Sequence, residues 1–255
     1  MKKSLCALFV FCLLLFCAAA HGEGKLRALL VGCDRFLSYD VTEPVARLNV
    51  ERIGLLLQSD SRIFDLIVTA DSGVGGVAEL SRLTRETFSG AEEGDISLIY
   101  ICTHGQMDRV TGQPSLILSD GQVEEELRPA QLRLMTDGIK GTCVILLDAC
   151  NGGAFIGKGL KEGGQNIFHG DNYKVLTSAS AGEDSLLWND LTGSAGGSYF
   201  ASELCAGLAD RTFDIDMDGR VTLTEASRGL LESHGASTVQ CYPQEDDFVL
   251  YQYEP

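Results

Sequence analysis

Five mostly continuous apolar runs, each long enough for one buried strand and separated by segments with helical spacing, restrict this chain to an alternating α/β fold. They are Leu26 to Gly32, Ile63 to Thr69, Ile96 to Cys102, Cys143 to Leu147 and Tyr173 to Ser178. Runs that stay apolar instead of alternating belong to a sheet covered on both faces. A helix opens at Glu43-Pro44, with proline at a tolerated first-turn position and Val45, Leu48, Ile53 and Leu56 recurring behind it. A second follows Gly76 through Ala78, Leu80, Leu83 and Phe88, and a third runs from Pro129 through Leu132 and Met135 toward Gly138. With right-handed crossovers this order predicts a three-layer α/β/α sandwich around a mainly parallel sheet of roughly six strands.

Two of the runs stop at reactive side chains. Ile99-Tyr100-Ile101-Cys102-Thr103 leads to His104-Gly105, and Val144-Ile145-Leu146-Leu147 leads to Asp148-Ala149-Cys150-Asn151-Gly152-Gly153. Open α/β sheets place their chemistry at the carboxyl ends of strands, so His104 and Cys150 form a candidate dyad. A free thiol is only a few per cent ionised at neutral pH, and an imidazole beside it can take its proton and pass one to a leaving amine. Buried cysteines are more often small packing groups, which is how Cys33, Cys102, Cys143 and Cys205 read within their apolar stretches. Cys150 differs because it follows the end of its strand and precedes Asn-Gly-Gly, where the backbone turns sharply and amides are free to meet a substrate oxygen.

Thr103-His104-Gly105 and Asp148-Ala149-Cys150, in this order after two such strands, resemble the motifs of the caspase, metacaspase, legumain and gingipain superfamily of cysteine peptidases. The resemblance runs from Leu26 to Gly32 as first strand to Tyr242-Pro243-Gln244 and Phe248-Val249-Leu250 as a closing segment, and is nearest in flavour to the bacterial caspase-like and metacaspase branch. It implies a peptide or protein substrate, Cys150 as nucleophile, His104 as general acid and base, and the amides of Gly105 and Cys150 as oxyanion donors. It also implies that Asp148 lies in the pocket for the side chain before the scissile bond, which favours Arg or Lys. Asp34, Glu183 and Asp184 would add acidity at the same sheet edge, or are ordinary surface charge. Trp188 and Tyr199 would wall the groove, or serve as core and loop anchors. The glycine-rich loop 151–172 carries Lys158 and Lys161 where many relatives are cut during maturation; it is either a self-cleavage site or an uncut mobile loop.

A second motif lies at 214–225. Asp214, Asp216 and Asp218 stand at positions one, three and five of an EF-hand-like loop, with Gly219 at six, the Arg220 carbonyl at seven, Thr222 at nine and Glu225 at twelve. Ser198 to Leu208 and Thr224 to Glu232 provide helical flanks. The expectation is a single Ca2+ site, with an ion-free acidic turn as the alternative. Metacaspases often require calcium but usually hold it elsewhere, so an activating role is not implied by position. No organic cofactor is expected: Gly73-Val74-Gly75-Gly76 follows the second strand, lacks the full glycine pattern and reads as a plain loop.

The amino terminus has the build of a signal peptide over 1–20: Lys2-Lys3, an apolar core from Leu5 to Phe16, then Ala18-Ala19-Ala20. Leu14-Leu15-Phe16-Cys17 offers a lipoprotein anchor at Cys17 as the rival, less usual because Phe16 is bulky. The peptidase domain is then 21–255, secreted, periplasmic or at the cell surface, without stable membrane association after cleavage. Removing Lys2 and Lys3 takes the net charge from −16 to −18, since the segment holds no acids. That charge argues against nucleic acid as a partner. Six cysteines remain, but Cys33, Cys102 and Cys143 sit on strands without disulfide-framework spacing, so paired cysteines are not expected. The competing class is a non-catalytic calcium-binding or adaptor protein on a caspase-like fold. A serine or nucleotide-dependent hydrolase finds no nucleophile elbow or P-loop here.

Overall fold

A computed structural model describes residues 24–39, 45–160, 164–190, 195–233 and 237–254. The signal segment 1–20 with Cys17, the helix opening at Pro44 and Lys161 lie outside them. The first half comprises β1 (Leu26–Gly32), α1 (Val45–Gln58), β2 (Phe64–Ala70), α2 (Val77–Thr87), β3 (Ile96–Cys102), β4 (Gly105–Met107), β5 (Pro114–Ser119), β6 (Glu124–Leu127) and α3 (Pro129–Thr136). The second comprises β7 (Thr142–Asp148), a short 3-10 turn (Gly152–Ile156), β8 (Tyr173–Thr177), β9 (Leu187–Asn189), β10 (Gly196–Ser198) and α4 (Tyr199–Ala209). The chain ends with β11 (Arg220–Thr222), α5 (Leu223–Ser233), β12 (Gln240–Tyr242) and β13 (Val249–Gln252).

The central sheet has six strands in the order β12-β8-β7-β3-β1-β2. All neighbours are parallel except β12, which runs antiparallel to β8. The expected three-layer sandwich is present, and the runs of its inner strands are largely apolar for the expected reason. Successive side chains of β1 alternate between layers, with Ala28 and Leu30 packing toward α1, α4 and α5, and Leu29 and Val31 toward α2 and α3.

Because β1 connects outward to β2 and the chain then returns to β3, the strand order reverses between β1 and β3. The crevice at that switch point, outside the carboxyl ends, is where such sheets bind ligands.

Two features were not anticipated. The connection between His104 and β7 holds a three-stranded antiparallel sheet, β4-β5-β6, as well as α3. A hairpin of β9 and β10 lies between β8 and α4. The glycine-rich segment after Cys150 also departs from expectation: Gly152–Ile156 is wholly buried, and Phe155, Ile156 and Phe168 enter the core. Lys158 is tied on both sides, its N–H donating to Gly153 O at 2.8 Å and its carbonyl accepting from Ala181 N at 3.2 Å. Cutting at Lys158 would require these bonds to open.

The six cysteines among the described residues are all free thiols. No helix of the described residues is long and apolar enough to cross a membrane.

Candidate active site

The register of β3 on β7 places Cys102 directly opposite Asp148, so two further residues on each strand bring His104 and Cys150 to the same level at the switch-point crevice. Both line one cavity of about 280 Å³. Its walls come from the ends of four strands: Cys33 and Asp34 after β1, Cys102 and Thr103 with the histidine, Asp148 and Ala149 with the cysteine, and Asp184, Ser185 and Leu187 after β8.

His104 packs against two adjacent rings, 5.8 Å apart, that no sequence motif marks. Phe36 and Tyr39, from the loop after β1, each lie 4.5 Å from the imidazole centroid, Tyr39 stacked and Phe36 tilted. Glu124 on β6 fixes that loop by accepting from Leu37 N at 2.6 Å and from the Ser38 hydroxyl. Burial pulls the His104 pKa below its ordinary value, with the Glu124 charge opposing.

Cys150 follows β7 and precedes Asn151, whose φ of 61° turns the chain into the left-handed region. Burial pushes the thiol pKa above its usual value; the Ser185 N–H, 3.3 Å from Sγ, works against this, and the charge of Asp184 adds to it. Both shifts favour a neutral thiol and imidazole in the free protein.

Gly105 sits where a side chain has no room. A Cβ there would lie 1.8 Å from Cys150 O. Ile117 N donates to His104 O at 2.9 Å, which puts Gly105 opposite Leu116 at a non-hydrogen-bonded position of the β4-β5 ladder. Its N–H therefore points away from β5, free for a ligand.

Asp148 is 2% exposed, at the base of the cavity. Its Oδ2 accepts from Tyr100 Oη at 2.8 Å and from the Ser198 hydroxyl, and its Oδ1 accepts from Ser185 Oγ at 3.2 Å. Burial raises its pKa, and these hydroxyl donors oppose the rise.

The other acidic candidates divide. Asp184 is exposed beside Cys150, on the cavity wall. Asp34 also lines the cavity, but its oxygens accept from Ala46 N at 2.7 Å and Arg47 N at 2.8 Å, so it caps the start of α1 instead of offering acidity to a ligand. Glu183 is not in the site: it accepts from Thr238 N at 2.7 Å and Thr238 Oγ1 at 2.9 Å, pinning the approach to β12. Leu187, not Trp188, walls the cavity; the Trp188 indole donates to Ser202 Oγ at 2.9 Å and anchors the hairpin to α4. Around Gly73-Val74-Gly75-Gly76 the amides of Gly75 and Val77 are taken by Glu79 and Glu125, surroundings that repel phosphate.

Far along the chain, Asp214, Asp216 and Asp218 bring ligand oxygens within 4.8 Å of one another. Hard carboxylates in this number suit Ca2+. Glu225 stands apart from that trio, accepting from Ile215 N at 3.1 Å and from Thr222 N at 2.9 Å, the latter as half of a capping box that opens α5. Arg220 and Thr222 lie on β11, which pairs with β13.

No protein-family model and no curated relative matches the sequence. Among solved structures, caspase-1 from Spodoptera frugiperda aligns with a TM-score of 0.60 at 14% identity, over 91% of this chain and 92% of that one. A Geobacter sulfurreducens protein aligns with a TM-score of 0.60 at 12% identity, over 90% and 97% of the two chains. The fold is therefore caspase-like.

Proposed function

We propose that this protein is a caspase-like cysteine endopeptidase that cleaves after basic residues. The supporting observation is the convergence of His104, Cys150 and the buried Asp148 on one cavity at the sheet's switch point. In this mechanism His104 takes the proton of Cys150 as sulfur attacks the peptide carbonyl, and the oxyanion that forms is received by the N–H groups of Gly105 and Cys150. His104 then gives the proton to the departing amine, leaving an acyl-enzyme. Water attacks the thioester with His104 as base, and the thiol departs with the proton restored. A neutral starting pair means that thiolate forms as substrate arrives. The basic side chain lies against apolar walls with its charge at Asp148.

The test is hydrolysis of fluorogenic peptides ending in Arg, Lys, Asp or Asn by reduced protein and by Cys150→Ala. Cleavage after Arg or Lys that disappears in the variant supports the proposal; cleavage after Asp or Asn alone removes the role given to Asp148. No turnover of any peptide leaves the non-catalytic alternative in its place.

The loop 214–225 is proposed to hold Ca2+ through Asp214, Asp216, Asp218, the Arg220 carbonyl, Thr222 and Glu225, with Glu225 turning from its backbone partners to close the shell. Export through the 1–20 segment, with a soluble or surface location, belongs to the same proposal.

A further inference from the structure

We infer that this pocket prefers lysine to arginine, because Asp148 has at most a single acceptor position left for an incoming cation. The inference rests on the peptidase reading above and refines its substrate class.

An ionised carboxylate offers about four lone-pair positions, two on each oxygen. Tyr100 and Ser198 fill both on Oδ2, and Ser185 fills one on Oδ1. Ser178 also faces the carboxylate, but its hydroxyl is engaged with Ala149, accepting from its N–H at 3.0 Å and donating to its carbonyl at 3.3 Å. The three donors come from β3, the loop after β8 and the amino-terminal cap of α4, so displacing any of them disturbs a separate element.

The fork of a guanidinium binds a carboxylate best with one N–H on each oxygen. That arrangement is closed here, since Oδ2 is full. An ammonium is a compact charge that needs only one acceptor per donor and has three donors to satisfy, where a guanidinium has five. The cavity offers little else to take them. Asp34 has committed its oxygens to the start of α1, and Asp184, beside the nucleophile, is exposed to solvent. Unpaired N–H groups in a dry pocket weaken binding, and arginine would leave more of them.

The experiment compares kcat/KM for peptides identical except for Lys or Arg before the cleaved bond, using wild type, Ser198→Ala and Tyr100→Phe. The expected wild-type preference for lysine is about 3- to 10-fold, the size of one net hydrogen bond. Each variant frees a lone pair on Oδ2, so each should move the ratio toward arginine. A ratio taken within one preparation does not depend on how much of it is folded, and either variant suffices if the other fails to fold. Arginine preferred by wild type, or a ratio unmoved by the variants, overturns the inference while leaving the peptidase reading intact. Turnover after neither base removes that reading and this inference with it.

Discussion

Gly105, Cys150 and Asp148 each occupy a position that another residue would spoil for a different physical reason. Gly105→Ala must push Cys150 O aside, because its Cβ would lie 1.8 Å away, and the oxyanion site would open. The expected result is a kcat loss of about 100-fold or more with the fold retained by circular dichroism. At Cys150, burial first and Asp184 after it hold the thiol protonated. Iodoacetamide labelling of the free protein should therefore rise with a midpoint above the ordinary thiol value, and Asp184→Asn should lower that midpoint and quicken labelling at neutral pH. Asp148 carries a cost to stability. Its pKa is raised by burial, so the folded protein holds this proton to higher pH than the unfolded chain, and stability falls as pH climbs from the ordinary carboxylate range through the raised value. Asp148→Asn should raise Tm above that window, lose the advantage below it, and lose basic selectivity. The meeting of His104, Gly105, Asp148 and Cys150 at one sheet edge was legible because each stands at or just past the end of an apolar run. Asp34 and Glu183 were not, since nothing in a sequence tells a carboxylate facing a ligand from one accepting backbone N–H groups. Phe36 and Tyr39 touch His104 only through a loop whose path Glu124 sets from a distant strand.

The parallel strands were legible almost to the residue because burial on both faces of β1, β3, β7 and β8 leaves few polar positions to blur them. β4 to β6 were not, because the turn signal Asp120-Gly121 after Leu116 to Leu118 leads into Glu124-Glu125-Glu126, which has no apolar pattern; Asp120 Oδ1 accepts from Gln122 N at 2.7 Å and Val123 N at 2.8 Å, and Gly121 takes a φ of 83°. Around the acidic loop, packing depends on Phe213. A Cβ at Gly207 would meet its ring at 2.4 Å and one at Gly229 at 2.2 Å, so α4 and α5 close on either side of this phenyl group. Phe213→Ala should cost about 3–5 kcal/mol in urea unfolding.

The molecule joins its two motifs through α4. That helix begins at Ser198, which holds Asp148, and ends at the turn into the acidic loop, while Tyr253 beyond β13 donates to Leu208 O at 2.7 Å and accepts no slack from Gly219, whose carbonyl takes its N–H at 3.0 Å. Calcium bound only by the folded state would stabilise the whole chain by about 2.7 kcal/mol at a hundredfold excess over Kd. Thermal unfolding with Ca2+ and with chelator should show this rise in Tm, and Asp214→Asn should abolish it. The most direct measurement of the catalytic claim is covalent labelling by a peptidyl acyloxymethyl ketone ending in lysine, followed by mass spectrometry of the peptides. The expected result is one adduct, on Cys150, lost in His104→Ala; an unlabelled Cys150, or equal labelling of Cys205, would contradict it.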